Sequence, residues 1–213
     1  MIEHADTKTR ILDTAERLFG LKGFEATSLR DITAEAQVNL AAVNYHFQSK
    51  DSLMDAVIAR RVDPVNQRRF EMLDAAGSEP TVEQVLTAFL APVFEVQMEC
   101  AAPLVGRILS NPNLFLDRMY KRHFQAISER FRAAMIQALP GAPVADILWG
   151  QLFTVGSMTQ LMALSQILSA ITGGVCDMSD RPAVVARAVR FLAAGFRASV
   201  EQPGINKELT CAG

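Results

Sequence analysis

The sequence lacks most of the features that would build a secreted, membrane-spanning or polybasic protein. Its cysteines number only three and have no metal-type spacing, so we expect reduced thiols in a cytosolic protein. No apolar run reaches the roughly eighteen residues that a membrane helix needs. The first residues show no signal-peptide pattern. The formal net charge of −2 excludes a polybasic nucleic-acid coat.

Catalytic signatures are also missing. The sequence contains no phosphate-binding glycine loop, no dinucleotide glycine motif, no zinc-protease helix motif and no serine nucleophile elbow. The three histidines, His4, His46 and His123, are far apart in the sequence, and no pair of carboxylates stands out. We therefore expect neither an enzyme nor a bound cofactor.

What the sequence does contain is helical periodicity. Half of its residues are hydrophobic, and they recur at helical spacing with no convincing strand pattern. The sequence predicts an all-α protein of about nine helices. A three-helix domain is expected over residues 1–48 and a larger helical domain over residues 49–213. Nothing recurs at a fixed period, which excludes a repeat protein.

Residues 27–50 predict two short helices joined by a tight turn, which is a helix-turn-helix. Ser28 and Asp31 have the spacing of a capping box at the start of the first helix. Val38 in the turn is expected to be buried. The predicted inward face of the second helix consists of Leu40, Val43 and Phe47.

The opposite face of the second helix suits a DNA groove. Helical spacing points Ala41, Ala42 and Tyr45 outward, with Asn44 and His46 on the flanks. Alanine permits close approach to the major groove, asparagine can pair with adenine, and tyrosine and histidine can hold phosphates. The same spacing also occurs in helical hairpins that never touch DNA, so spacing alone leaves both interpretations open.

Several segments of the N-terminal region keep the order and spacing of one known family. They are Ile11 to Phe19, Gly23-Phe24, Thr27 to Ile32, Ala36-x-Val38, Tyr45-His46-Phe47 and Lys50-x-x-Leu53. This region resembles the DNA-binding domain of the TetR/AcrR transcriptional regulators. The resemblance implies a two-fold dimer whose paired recognition helices read a palindromic operator in double-stranded DNA.

Carried over by position, the resemblance implies two groups of DNA contacts. The expected phosphate contacts are Ser28, Tyr45, His46 and Lys50. The residues expected at or near base edges are Arg30, Asn39, Ala41, Ala42 and Asn44. There are two departures from the family pattern. Gln37 replaces the usual turn glycine, which costs about 1 kcal/mol if its φ is positive, and Asn44 replaces a common tyrosine.

The charge balance argues mildly against DNA binding. Residues 1–74 contain twelve acidic and ten basic residues, so any DNA contacts must be local ones and the salt dependence of binding should be modest. This balance and Gln37 support an alternative: a helical small-molecule carrier or protein-interaction adaptor that has lost DNA binding.

The remaining helices predict a regulatory domain. A first helix over 7–22 precedes the hairpin, and a long fourth helix begins near Lys50, with Pro64 expected to kink or interrupt it. A short helix is expected from Pro103. Four arginines are expected on a solvated face of the fourth helix: Arg60, Arg61, Arg68 and Arg69.

Two long helices close the chain, over about 144–171 and 181–200. Both are apolar and rich in small residues, which suits an intermolecular four-helix bundle. The family forms its homodimer in this way, so we expect a homodimer through these helices.

The resemblance also implies a ligand pocket in the larger domain, which is rich in phenylalanine and methionine. The candidate ligand-binding residues are Phe94, Met98, Arg107, Phe115, His123 and Phe153. A buried arginine needs a partner, so Arg107 suggests that the partner is a negative charge on the ligand. The expected ligand is largely apolar and can be anionic, such as a fatty acid or acyl thioester. The resulting hypothesis is a cytoplasmic, ligand-responsive repressor that the inducer releases from its operator.

Overall fold

The computed structural model describes residues 2–95, 114–165 and 167–201, and the side chains within 7–95, 117–165 and 167–200. Its elements are α1 (Ile2–Lys22), α2 (Leu29–Ala36), α3 (Leu40–Phe47), α4 (Lys50–Ala75), α5 (Val82–Glu95), α6 (Leu114–Met119), a π-helical segment (Tyr120–Phe124), α7 (Gln125–Ala138), α8 (Val144–Leu164), α9 (Leu168–Ile171) and α10 (Arg181–Glu201). The π-helical segment joins α6 and α7 into one helix. Counted so, the described residues form nine helices without a strand, which confirms the all-α prediction.

The chain forms two compact units. Unit 1 consists of Met1–Pro64 and Met98–Phe124, and unit 2 consists of Val65–Gln97 and Gln125–Gly213. The boundary between the two units within α4 lies at Pro64. The helix itself is not interrupted there, because α4 continues through Pro64 to Ala75. The predicted change of domain at residue 48 stays a prediction.

Unit 1 is built around the apolar faces of α1, α3 and α4. Their buried residues form one cluster, which consists of Ile11, Leu12, Ala15, Leu18, Phe19, Ile32, Val43, Phe47, Leu53, Met54, Val57, Ile58, Val62 and Met119. Phe24 packs against this cluster, with its ring centroid 5.5 Å from that of Phe19. α1 begins at Ile2, earlier than the predicted residue 7.

Local signals set the ends of the helices in unit 1. Gly23 ends α1 at a φ of 90°, a conformation that costs glycine little. The backbone and side chain of Ser28 and Asp31 form the predicted capping box at the start of α2. The Ser49 hydroxyl accepts from the Ser52 backbone N–H at 3.0 Å and so caps α4. These caps satisfy N–H groups that a helix start leaves without an internal partner.

Unit 2 contains α5, α7, α8 and α10. The rings of Phe89, Phe131 and Phe196 run through its core, with centroids 4.8 Å and then 6.5 Å apart. α10 packs against both α5 and α8, and Gly150 allows the ring of Phe196 to lie directly against the α8 backbone. A capping box between Thr81 and Gln84 starts α5.

Three sequence predictions differ from the structure or lie outside it. The predicted helix over 144–171 ends at Leu164, and the short α9 follows as a separate element. The predicted helix from Pro103 lies outside the described residues. Of the four arginines predicted on a solvated face, Arg69 is only 3% exposed, so that assignment was wrong for Arg69.

No helix in the described ranges is long and apolar enough to span a membrane.

Candidate nucleic-acid interface

The outward face of α3 is the candidate DNA-reading surface. Val43 and Phe47 are buried, whereas Ala41 and Asn44 are exposed. Tyr45 is 78% exposed, and its ring contacts the ring of His46 edge-on, with centroids 5.1 Å apart. The helix carries no acidic residue. It can therefore approach a phosphate backbone without a repelling side chain of its own.

Two positions on α3 differ from their predicted orientation. Leu40, predicted to face inward, is 44% exposed. Leu40 is the first residue of the helix. Helical periodicity predicts which way a side chain points around the axis, but it does not predict whether the core extends as far as the end of the helix. Ala42, predicted to face outward, is half-buried against the core of unit 1. Ala42 therefore offers a groove less surface than Ala41 does.

Two of the predicted DNA contacts also cap helices. The Asn39 side-chain oxygen accepts from the Ala42 backbone N–H at 2.8 Å, which makes Asn39 the N-cap of α3. The Ser28 hydroxyl accepts from the Asp31 N–H at 3.1 Å and donates to the Asp31 carboxylate at 2.7 Å. Hydrogen bonds from Ser28 hold the pKa of Asp31 below its ordinary value, because they favour the ionised carboxylate.

Lys50 is positioned by the loop between α1 and α2. Its ammonium lies 4.3 Å from the centroid of the Phe24 ring and donates to the Glu25 carbonyl at 3.5 Å. A cation over an aromatic face is held electrostatically, so Lys50 starts α4 in a restrained position. Arg30, on α2, is exposed.

Arg10 supports the turn of the hairpin, and sequence analysis missed it. Its guanidinium donates to the carbonyl oxygens of Ala36 and Gln37. Gln37 has φ 52° and ψ 48°, the left-handed conformation that the missing family glycine would favour. The two bonds from Arg10 satisfy carbonyls at the end of α2. No local pattern could have revealed this contact, because Arg10 and the turn are far apart in sequence.

Ion pairs hold several carboxylates of unit 1. Arg60 and Arg61 both pair with Glu16, whose side chain is 8% exposed. Arg17 pairs with Glu35 across α1 and α2. These carboxylates are neutralised within unit 1. The acidic excess counted over residues 1–74 does not describe unit 1, because the segments 1–64 and 98–124 together contain twelve acidic and twelve basic residues.

The candidate ligand residues lie in several places. Phe94 is buried in unit 2. It lines a cavity of about 480 Å³ together with Thr87, Ala91, Glu95, Arg181, Pro182, Val185 and Ala186. Phe153 is 60% exposed, so it lies on a surface and not at a cavity wall. Met98, Arg107 and the side chain of Phe115 lie outside the described residues.

His123 belongs to unit 1, on the π-helical segment. Its imidazole is buried, and its Nδ1 lies 3.8 Å from the Asp63 carboxylate on α4. The same helix carries Arg122, which donates to Asp55 at 2.9 Å. Burial lowers the pKa of His123 below its ordinary value, although Asp63 and Asp55 act in the opposite direction. These contacts fasten the π-helical segment to α4 within unit 1.

Arg69 is the most deeply buried charge described in unit 2. Its Nε donates to the Phe89 carbonyl at 2.8 Å, one terminal nitrogen donates to Asn66 at 3.1 Å, and the other donates to the Met158 sulfur at 3.3 Å. The guanidinium also lies over the Phe89 ring, 4.1 Å from its centroid. Burial lowers its pKa to about 9.

α8 and α10 expose large apolar side chains. On α8 the rings of Trp149 and Phe153 stack with centroids 5.9 Å apart, and both are more than half exposed. We call the exposed set the α8–α10 face, and it consists of Val144, Leu148, Trp149, Leu152, Phe153 and Phe191. Exposed apolar side chains in such number are typical of interaction sites.

The described residues offer no group of three or more histidine, cysteine, aspartate or glutamate side chains that could hold a metal ion. Of the three cysteines, Cys176 is a free, exposed thiol. Cys100 and Cys211 lie outside the described residues.

The capped hairpin, with a buried inner face and an exposed polar outer face, defines a helix-turn-helix protein. Residues 11–57 match the family model described as bacterial regulatory proteins, tetR family. Residues 87–195 match the model described as tetracyclin repressor-like, C-terminal domain. The chain belongs to the TetR family, whose members are DNA-binding transcriptional regulators.

Individual relatives agree with the family models. The chain is 31% identical over 90 residues to the probable HTH-type transcriptional regulator YttP of Bacillus subtilis, covering 42% of each. It is 30% identical over 139 residues to the HTH-type transcriptional regulator SrpR of Pseudomonas putida, covering 63% of this chain and 64% of SrpR. These matches span less than two thirds of either relative.

Among solved structures, the fold is similar to that of SCO4454, a TetR-family transcriptional regulator from Streptomyces coelicolor. The TM-score is 0.62 at 20% identity, covering 92% of this chain and 97% of that one.

Proposed function

We propose that the protein is a transcriptional repressor that binds a palindromic operator as a homodimer and is released by a small, largely apolar inducer. The observation that carries the DNA-binding part is Tyr45, which is 78% exposed on α3, while Val43 and Phe47 anchor the same helix in the core. An aromatic hydroxyl this exposed adds little to folding and is well placed to bind a phosphate.

The outer face of the hairpin supplies the rest of the proposed contacts. Ala41 and Asn44 face outward for base edges, Arg30 lies exposed on α2, and His46 and Lys50 flank the helix. Asn39 and Ser28 keep their capping bonds in this proposal and approach DNA through their remaining hydrogen-bonding capacity. Ala42 contributes only its exposed edge.

Because chromosomal DNA is the target, the protein is expected to act in the cytoplasm.

The test compares the only two tyrosines of the chain. Tyr45→Ala should weaken retardation of a fragment from the gene's own upstream region by about tenfold or more, since one phosphate contact is lost. Tyr120→Ala is the matched control, because Tyr120 is 46% exposed on the π-helical segment. Both variants should keep their free energy of unfolding within about 1 kcal/mol. Equal loss of binding in both variants would contradict the assignment of α3.

The homodimer is proposed to form through the α8–α10 face. Trp149, Leu152 and Phe191 would leave a large apolar area in water if the chain stayed alone, and its burial favours association. Leu152→Asp should shift sedimentation towards the monomer and lose operator binding. Ile136→Asp on α7, which is 43% exposed, should leave the dimer intact. A dimer that survives Leu152→Asp would contradict this interface.

The inducer is proposed to bind in unit 2, where Phe94 lines the cavity of about 480 Å³. Within the described residues the chain passes from one unit to the other at Pro64 in α4 and at Phe124 before α7. A ligand that binds one spacing of the two hairpins more tightly than the other would shift the population towards it. Inducer should therefore release the operator fragment in proportion to its occupancy of the protein.

The alternative, a carrier or adaptor without DNA binding, is weakened by the geometry of unit 1. Its two supports were the acidic balance and the replacement of the turn glycine. The two segments of unit 1 contain equal numbers of acidic and basic residues, and Gln37 adopts the left-handed turn with Arg10 bound to it. We propose no enzyme activity, since TetR-family regulators are non-enzymatic.

A further inference from the structure

The first turn of α3 has few contacts with the core of unit 1. Val43 and Phe47 anchor the helix about one and two turns further on, whereas Asn39, Leu40 and Ala41 are exposed. The N-terminal residues of a recognition helix are the ones that contact base edges. The end of α3 that would approach a base is therefore directed mainly by the turn that precedes it.

That turn passes through a backbone conformation that its residue does not favour. Gln37 has φ 52° and ψ 48°, and in this left-handed region a Cβ atom lies too close to the following carbonyl oxygen. The Gln37 side chain is exposed, so its burial does not compensate. Two backbone bonds close the end of α2, one from the Gln37 N–H at 3.4 Å and one from the Val38 N–H at 3.0 Å. Both use N–H groups and leave the carbonyls of the turn to other donors.

Arg10 provides a donor for these carbonyls. Its Nη2 donates to the Ala36 carbonyl and, at 3.1 Å, to the Gln37 carbonyl. The first carbonyl belongs to the peptide group before Gln37 and the second to the peptide group after it, so one nitrogen bridges both. α2 has no basic residue in its own last turn. Arg10 therefore also provides the positive charge that stabilises a helix C-terminus.

We propose that Arg10 is a positioning residue for DNA recognition. It holds Gln37 in the left-handed conformation and so directs the first turn of α3 towards the bases, without contacting DNA itself. Rotation about φ or ψ of Gln37 would move one of the two carbonyls away from the guanidinium. Arg10 and Gln37 therefore act as a pair, in which the arginine makes glycine at position 37 unnecessary. This inference rests on the proposed function, in which α3 reads the operator.

The test compares the affinity of four proteins for the upstream DNA fragment, at a temperature at which circular dichroism shows all four to be folded. They are the wild type, Arg10→Met, Gln37→Gly and the double variant. Arg10→Met should weaken binding by about tenfold, as for loss of one charged hydrogen bond. In the Gln37→Gly background the same change should weaken binding by about threefold or less, because glycine adopts the left-handed conformation readily. Equal losses in the two backgrounds, or no loss in either, would overturn the proposal.

Arg17→Met is the matched control. Arg17 also lies on α1 and also binds α2, but it pairs with the Glu35 side chain and not with the turn backbone. The control removes the same charge from the same helix, and its affinity for the fragment should stay within about twofold of the wild type because exposed pairs contribute little. A loss as large as that of Arg10→Met would overturn the assignment to the turn.

The salt dependence of binding separates positioning from direct phosphate contact. If Arg10 bound a phosphate, Arg10→Met would reduce the slope of log affinity against log salt concentration by about one. Positioning acts through neutral side chains at the start of α3, so the wild type and Arg10→Met should have parallel slopes. A reduced slope in Arg10→Met would overturn the positioning role.

Two variants of Gln37 leave Arg10 intact and keep the test decisive if Arg10→Met folds poorly. Gln37→Val places a β-branched side chain in the left-handed region, where such residues are strongly disfavoured, and should weaken binding by about tenfold. Gln37→Asn, which tolerates this region, should bind at least as tightly as the wild type. Equal affinity of the two variants would overturn the proposal.

The wild-type protein separates this inference from the proposed function. Absence of retardation by the wild type would overturn the operator-binding function, and the positioning role with it. Retardation by the wild type with equal losses in the two backgrounds would overturn the positioning role alone.

Discussion

The ring of Phe196 occupies the space that a Cβ atom on residue 150 would require. Gly150 lies on α8, and Phe196, 3% exposed, lies on α10. The two helices therefore approach each other closely within one chain at this point. The small residues of α8 predict a contact between two protomers. For Gly150, the contact is within the chain.

Gly150→Ala is expected to destabilise the protein. The added methyl group must displace a buried aromatic ring, and overpacking of this kind costs about 1–3 kcal/mol. Gly156→Ala, on the same helix, is the control because, apart from its own helix backbone and chain neighbours, no atom of the described residues lies within 4 Å of its Cβ position. That change should be neutral or stabilising by up to about 1 kcal/mol through helix propensity. Urea unfolding of both variants measures the difference, and equal stability of the two would contradict the close approach.

Asn39 is expected to act mainly as the N-cap of α3. Asn39→Ala should lower the free energy of unfolding by about 1 kcal/mol, because the Ala42 N–H loses its acceptor. Asn39→Ser keeps a capping oxygen and should restore that stability. If Asn39 also contacts a base edge, Asn39→Ser will still bind the operator fragment more weakly than the wild type. Equal DNA binding by wild type and Asn39→Ser would limit its role to the cap.

The parts of unit 1 that were predictable from sequence depend on neighbours along the chain. Ser28 and Asp31 are three residues apart, and Gly23 stands directly after α1, so caps and helix ends could be placed without a structure. The outward direction of Tyr45 followed from helical spacing in the same way. The exposure of Leu40 was not predictable, because periodicity does not show which turns of a helix contact the core.

What could not be predicted depends on contacts between distant segments. Arg10 binds the turn at Gln37, and Arg69 binds the backbone at Phe89, but neither arginine differs by composition or spacing from a solvated one. The charge count had the same weakness, since only the folded chain reveals which segments make up unit 1. The exposure of Phe153 likewise depends on how α8 packs against its neighbours.

Glu16 is expected to be the most important carboxylate of unit 1 for stability. It is 8% exposed and pairs with both Arg60 and Arg61, so Glu16→Gln should cost about 1.5–3 kcal/mol, as for hydrogen bonds to charged groups. Glu35→Gln is the control, because the Glu35 pair with Arg17 is about half exposed and such pairs contribute about 0–1 kcal/mol. Similar losses measured by thermal unfolding would contradict this ranking.

The stability of unit 1 is expected to fall in mild acid because of His123. Burial lowers the pKa of this histidine in the folded protein below its ordinary value of 6.5, so below that pH the unfolded chain binds a proton more readily than the folded one. The unfolded state is then favoured, and the free energy of unfolding decreases as the pH falls from neutral through the window just below 6.5.

Two variants test whether His123 causes this loss. His123→Gln removes the titrating group, so its free energy of unfolding should depend less on pH across that window than that of the wild type. The Asp63 carboxylate, 3.8 Å from Nδ1, raises the pKa of His123. Asp63→Asn removes this carboxylate and so lowers the pKa further, and the free energy of unfolding should then fall more steeply in acid. Urea unfolding on both sides of pH 6.5 provides the comparison. If the free energy of unfolding of His123→Gln depends on pH as strongly as that of the wild type, other groups cause the loss of stability in acid. Burial of His123 would then have no consequence for stability.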